Sequence, residues 1–97
     1  MDKSKLYYLA HPYSNYGDPK QNVKESIRFQ RRIKKLYGIS TINPLTTIPE
    51  SLKYDSAMDL CFKLVNLCDG VIMSGHWRMS KGCKLEYWLA RERRKEI

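Results

Sequence analysis

No stretch of this sequence approaches the roughly 20 consecutive apolar residues that a membrane-spanning helix needs, so no membrane association is expected. The start, MDKSKLYYLAHPYSN, carries an acid and only a brief apolar run, which argues against a secretory signal. Cysteine is scarce. The three present, Cys61, Cys68 and Cys83, are an odd number and fall on segments that pattern as helices. None belongs to a CxxC pair or a Cys/His spacing, which argues against a zinc site. Reduced thiols in a cytoplasmic protein are the expectation. Internal repeats, linkers and low-complexity tracts are absent, as are helix-turn-helix, zinc-finger and RNA-recognition signatures. Acids are few as well: 10 Asp and Glu against 18 Lys and Arg, for a net charge of +8. Such a balance attracts phosphate-bearing partners without distinguishing polymers from mononucleotides. The bases cluster in KESIRFQRRIKK and in RERRK, which read equally well as solvated helix faces.

What is present suits one globular domain over residues 1–97. The apolar content is 42%, and two Trp, seven Tyr and two Phe argue against disorder. A chain this short makes a thin core, so a homodimer is expected to complete it.

KLYYLA (5–10), closed by His11-Pro12, reads as a first strand, and HPYSNYGDP (11–19) as loop throughout. From about Pro19 to Tyr37 the pattern is helical, with Val23, Ile27, Ile33 and Tyr37 near one face, and Gly38 is a natural stop. ISTIN (39–43) reads as a second strand and PLTTIPESLKY as a loop back. A second helix begins near Ser56, with Ala57, Cys61, Leu64, Val65 and Cys68 as its apolar stripe. Asp69-Gly70 ends it, and VIMS (71–74) is a strand buried on both faces. After the loop GHWRMSKG, a third helix runs from Cys83 to about Lys95.

This β-α-β-α-β-α order implies an α/β fold of the flavodoxin/Rossmann-like kind: a three-stranded parallel sheet, order 2-1-3, flanked by three helices. Ligands in such folds bind beyond the carboxyl ends of the strands, which here gathers the loops 11–18, 44–55 and 75–82.

Candidate chemistry converges on that edge. In SKGCKLE, Ser80 and Gly82 lie at the mouth of the third helix, where free N–H groups and the helix dipole favour an anion and glycine permits close approach. Glu86 follows Cys83 by three residues and precedes Ala90 by four, so it shares their buried stripe about a turn from the helix start. A carboxylate in such a wall suits a nucleophile or a base; the plainer alternative is a capping or surface glutamate beside Lys84. Asp59 stands in the first turns of the second helix, where an acid is favourable for the dipole alone. Asp69 reads as a turn residue. Tyr8, His11 and Pro12 close the first strand at the same edge, with His11 read as a binding or structural group. Trp77 either stacks on a base or covers the core.

YYLAHPYSN, INPL, CDGVIM and GHWRMSKGCKLEYWLA together resemble the nucleoside 2-deoxyribosyltransferase-like superfamily, especially its short phage and bacterial members and its nucleoside 5′-monophosphate N-glycosidases. The resemblance covers nearly the whole sequence in the same order. It implies that Glu86 matches the glutamate that attacks the anomeric carbon and Tyr8 the tyrosine beside it. It further implies that Ser80, six residues before Glu86, matches the serine contacting the 5′-phosphate, and Asp59 the aspartate that handles the base's proton. The implied activity is cleavage of the N-glycosidic bond of a (deoxy)nucleoside 5′-monophosphate, with a nucleotide or nucleoside as partner and no metal or organic cofactor.

Enzymes of that superfamily continue past the glutamate helix, so a catalytically weak module that captures a nucleotide is the second expectation. A basic nucleic-acid-binding protein ranks last.

Overall fold

The computed structural model describes residues 3–13, 17–49 and 51–97. Ser14 and Asn15 of the first loop lie outside them. Strand β1 (Tyr7–Ala10) occupies the centre of a three-stranded parallel sheet of order β2-β1-β3, between β2 (Thr41–Ile42) and β3 (Gly70–Met73). Tyr7 and Tyr8 register with Thr41 and Ile42 on one side, and Tyr7 to Ala10 with Gly70 to Met73 on the other.

All four residues of β1 are buried, as befits a central parallel strand covered on both faces. The two-residue period of a strand divides them. Tyr7 and Leu9 face helix α1 (Pro19–Tyr37), packing with Ile33 and Ile39. Tyr8 and Ala10 face helices α3 (Tyr54–Leu67) and α4 (Lys81–Glu92), packing with Cys61, Val65, Cys83 and Ala90. The layers are therefore helix, sheet, helix, and the parity of Tyr8 sends its side chain into the α3/α4 layer. No helix among the described residues is long and apolar enough to cross a membrane.

Helix α1 runs over its predicted span. Asp18 caps its start by accepting from the Lys20 N–H at 3.2 Å, and Gly38 ends it at φ 69° with its N–H on the Lys34 carbonyl at 2.9 Å. Its inner face differs from the expected one, since Tyr37 is half exposed while Asn22 and Ser26 are buried. These polar groups can sit inside because each is satisfied. Asn22 donates to the Tyr13 carbonyl at 2.7 Å, and Ser26 donates to the Val23 carbonyl and accepts from Asn43.

The second strand is shorter than expected because Asn43 leaves the ladder to cap a one-turn helix, α2 (Pro44–Thr47), accepting from the Leu45 N–H at 3.0 Å. The expected loop over 44–55 thus contains helix. The last helix starts at Lys81 rather than Cys83, because Ser80 takes the cap position and accepts from the Cys83 N–H. Beyond α4 the chain returns to the sheet edge, where the Val71 N–H donates to the Glu96 carbonyl at 2.7 Å. Gly70 is required at that crossing. A β-carbon there would stand 2.7 Å from the Tyr7 ring and 2.9 Å from the Glu96 carbonyl oxygen.

Candidate active site

A cleft of about 210 Å³ opens at the carboxyl edge of the sheet. Its floor is Tyr8, His11 and Tyr13 from β1 and the loop after it. One wall is Pro44, Leu45 and Ile48 around α2, with Tyr54, Met58 and Cys61 of α3. The other is Ser80, Gly82, Cys83 and Glu86 of α4. The cleft lies between the loops following all three strands, where parallel sheets place their ligands.

Glu86 is 5% exposed and lines this cleft. It reaches the sheet-facing side of α4 because Gly82, Cys83, Glu86 and Ala90 form the helix's buried stripe. Directly beneath it, the hydroxyl of Tyr8 donates to Glu86 Oε2. Burial pushes the Glu86 carboxyl up to about 7, against the opposing pull of hydrogen bonds from Tyr8 and the Cys61 thiol. The neighbours move out of range in the other direction. Burial and the Glu86 charge hold the Tyr8 hydroxyl well above its ordinary range. The same two causes push the Cys61 and Cys83 thiols to about 12. Within this cluster Glu86 alone changes charge near neutrality, while Tyr8 and Cys61 stay protonated as donors to it.

Tyr8→Phe is therefore expected to raise the Glu86 pKa further, by about one unit for a lost hydrogen bond to a charged group. Titration of the side-chain carboxyl by carbon-13 NMR measures this, and an unmoved midpoint would remove Tyr8 from the arrangement.

His11 is also buried on the cleft floor. Ser74 donates its hydroxyl to the Ala10 carbonyl at 2.9 Å and so accepts from His11 Nδ1–H, also at 2.9 Å. The remaining nitrogen faces Glu25 Oε1 at 3.8 Å. Burial lowers the His11 pKa, with Glu25 opposing. Gly75, at φ 62°, presses against this ring; a β-carbon there would fall 2.7 Å from His11 Cε1. The hydrogen bond to Ser74 and the close approach of Gly75 fix the ring, which gives His11 a structural part in the floor.

Ser80 is buried and lines the cleft, but its oxygen is engaged with the Cys83 N–H at 3.3 Å and its hydroxyl with the Cys83 sulfur. Gly82 lines the cleft as well, and a β-carbon would stand 3.3 Å from Met58 Sδ, so glycine also allows α4 to approach α3.

Three sequence candidates lie elsewhere. Asp59 is exposed and does not line the cleft. The cleft side of α3 runs through Tyr54, Ala57, Met58 and Cys61, and one residue beyond Met58 turns about 100° around the helix towards solvent. Pro12 is buried away from the cleft lining. Trp77 packs on the core and stacks on Tyr87, with centroids 5.0 Å apart at 22°, and does not reach the cleft. Conversely, Cys61 reads in sequence as one member of an apolar stripe. Only the facing of α3 and α4 shows it beside a carboxylate. Among the described residues no Lys or Arg lines the cleft, and no group of three His, Cys, Asp or Glu could hold a metal ion.

No curated protein and no solved structure matches the chain. One family model does, over residues 5–97, and on that match the chain belongs to the family described as Domain of unknown function (DUF4406).

Proposed function

We propose that this chain cleaves the N-glycosidic bond of a (deoxy)nucleoside or its 5′-monophosphate, with Glu86 as nucleophile. One observation carries the reading: a nearly buried carboxylate lines an open cleft, is oriented by Tyr8, and ionises near neutral pH. The carboxylate attacks C1′ as the C1′–N bond breaks through an oxocarbenium-like transition state, the electron pair leaving with the base. The base takes a proton from water in the open cleft, and a second water hydrolyses the glycosyl ester, restoring Glu86. In transfer, another base takes the place of that water. The likeness of YYLAHPYSN, CDGVIM and SKGCKLE to nucleoside 2-deoxyribosyltransferase-like proteins supports the same assignment for Glu86 and Tyr8.

Asp59 is exposed and does not line the cleft, and no step is assigned to it. Ser80 and Gly82 bring the first turn of α4 to the cleft, where this reading puts a 5′ substituent, while the cleft walls carry no Lys or Arg among the described residues. Nucleosides and their monophosphates are therefore tested side by side. Incubation with a panel of both, followed by mass spectrometry, is expected to show free base and a sugar adduct on Glu86. Base release should rise through pH about 7, as the nucleophilic form of Glu86 appears.

Among the described residues no carboxylate besides Glu86 lines the cleft, which favours one other reading, capture of a nucleotide without turnover. Calorimetric binding with no free base from any member of the panel would establish it. A cytoplasmic homodimer belongs to the same proposal, and light scattering of the purified chain gives its mass.

A further inference from the structure

The outward side of α4 and the turn before it (Trp77–Met79) carry a feature the cleft does not use. Arg78 lies over the Trp77 ring, its guanidinium carbon 4.8 Å from the centroid. Trp77 stacks on Tyr87, and Tyr87 meets Trp88 edge-on at 5.6 Å and 84°. Arg91 lies against both, 5.8 Å from the Tyr87 centroid and 5.5 Å from that of Trp88. The five side chains form one continuous run of cations and aromatic planes, and Trp88 within it is 61% exposed. Leu85, three residues before it on the same side of α4, is 41% exposed, and an open apolar strip of this kind asks for a partner.

Charge identifies the kind of partner. The chain carries +8. Lys81, Lys84 and Arg91 share the exposed side of α4 with Trp88, against a single acid there, Glu92. A second copy would bring cations against cations, whereas a polyanion with flat apolar faces complements both elements of the run. Duplexes hide those faces; single strands present them. We propose that the Arg78–Trp77–Tyr87–Arg91–Trp88 run is a binding surface for single-stranded nucleic acid, with bases stacking on Trp88 and phosphates met by the flanking Arg and Lys side chains. This surface is distinct from the cleft and stands independently of the glycosidase reading.

The test uses the full chain, a fluorescein-labelled 20-nucleotide oligo(dT), a single-stranded RNA and a duplex of equal length, read by anisotropy at several salt concentrations. The single strands are expected to bind more tightly than the duplex at each concentration. Trp88→Ala, at an exposed position, should weaken single-strand binding about 5- to 100-fold, the effect of one lost base stack. Arg91→Ala should reduce the slope of log affinity against log salt by about 0.7 for one phosphate contact. Circular dichroism checks that both variants fold. Equal affinity of parent and Trp88→Ala, or duplex preferred over single strand, overturns the proposal. So does a dimer that Trp88→Ala converts to monomer, since a second copy would then cover the ring.

Discussion

Glu86→Gln is expected to reduce release of free base by about 10⁴-fold or more, the scale on which removing a nucleophile acts in enzymes that use one covalently. The amide keeps the shape of the side chain and still offers an oxygen to the Tyr8 hydroxyl, which donates to Glu86 Oε2 in the parent. It cannot form the glycosyl ester. The loss should therefore fall on the rate with little change in substrate binding, and the sugar adduct should vanish with it. Glu86→Ala should match it in activity but cost more stability, because it strands the Tyr8 hydroxyl in a buried site. Chromatography of free base over time gives the answer, and parent-like turnover in Glu86→Gln would end the glycosidase reading. His11 provides a control of different character: its ring is held by Ser74 at 2.9 Å and pressed by Gly75, so substitution there should damage the fold before it damages chemistry.

The same residue predicts a large effect without any substrate. The folded-state pKa of Glu86 is raised from 4.5 to about 7, so between those values the native state holds a proton that the unfolded chain has released. Stability must then fall as pH rises through that window and level off above it. At about 1.4 kcal/mol per unit, the shift amounts to roughly 3 kcal/mol, or more than ~10 °C in melting temperature for a domain of this size. Glu86→Gln has no proton to lose. Its melting temperature relative to the parent's should climb from pH 4.5 to 7 and plateau beyond. The comparison isolates Glu86 from His11, whose lowered pKa works in the opposite sense: it costs stability as pH falls below the imidazole's ordinary value. Melting curves of parent and Glu86→Gln that move in parallel with pH would mean that the carboxylate is not buried as described.

Much of the fold was legible because apolar spacing reports which face of an element is covered. The Tyr- and Leu-rich run of β1 closed by His11-Pro12, the Pro19 and Gly38 boundaries of α1, and the apolar run at β3 each follow from local chemistry, and strand order 2-1-3 follows from right-handed crossovers. Local chemistry also misled where polar groups were satisfied from a distance. Asn22 and Ser26 are buried because Tyr13 and Asn43 meet them, while Tyr37 was left outside. Asn43 ended β2 early by capping α2.

At the site, sequence alone determined that Glu86 shares a helix face with Cys83 and Ala90, three residues after one and four before the other, with a capping or surface glutamate as the open alternative. Helical periodicity has no access to what lies opposite a stripe. The tertiary structure decided that Glu86 meets Tyr8 and Cys61 at the wall of a cleft and not within a sealed core. It also turned Asp59 to solvent and carried Trp77 onto Tyr87. The physical reason is that a cleft is the space left where three loops and two helices fail to close over the sheet edge. Its existence depends on the relative placement of elements far apart in the chain, which no local pattern encodes.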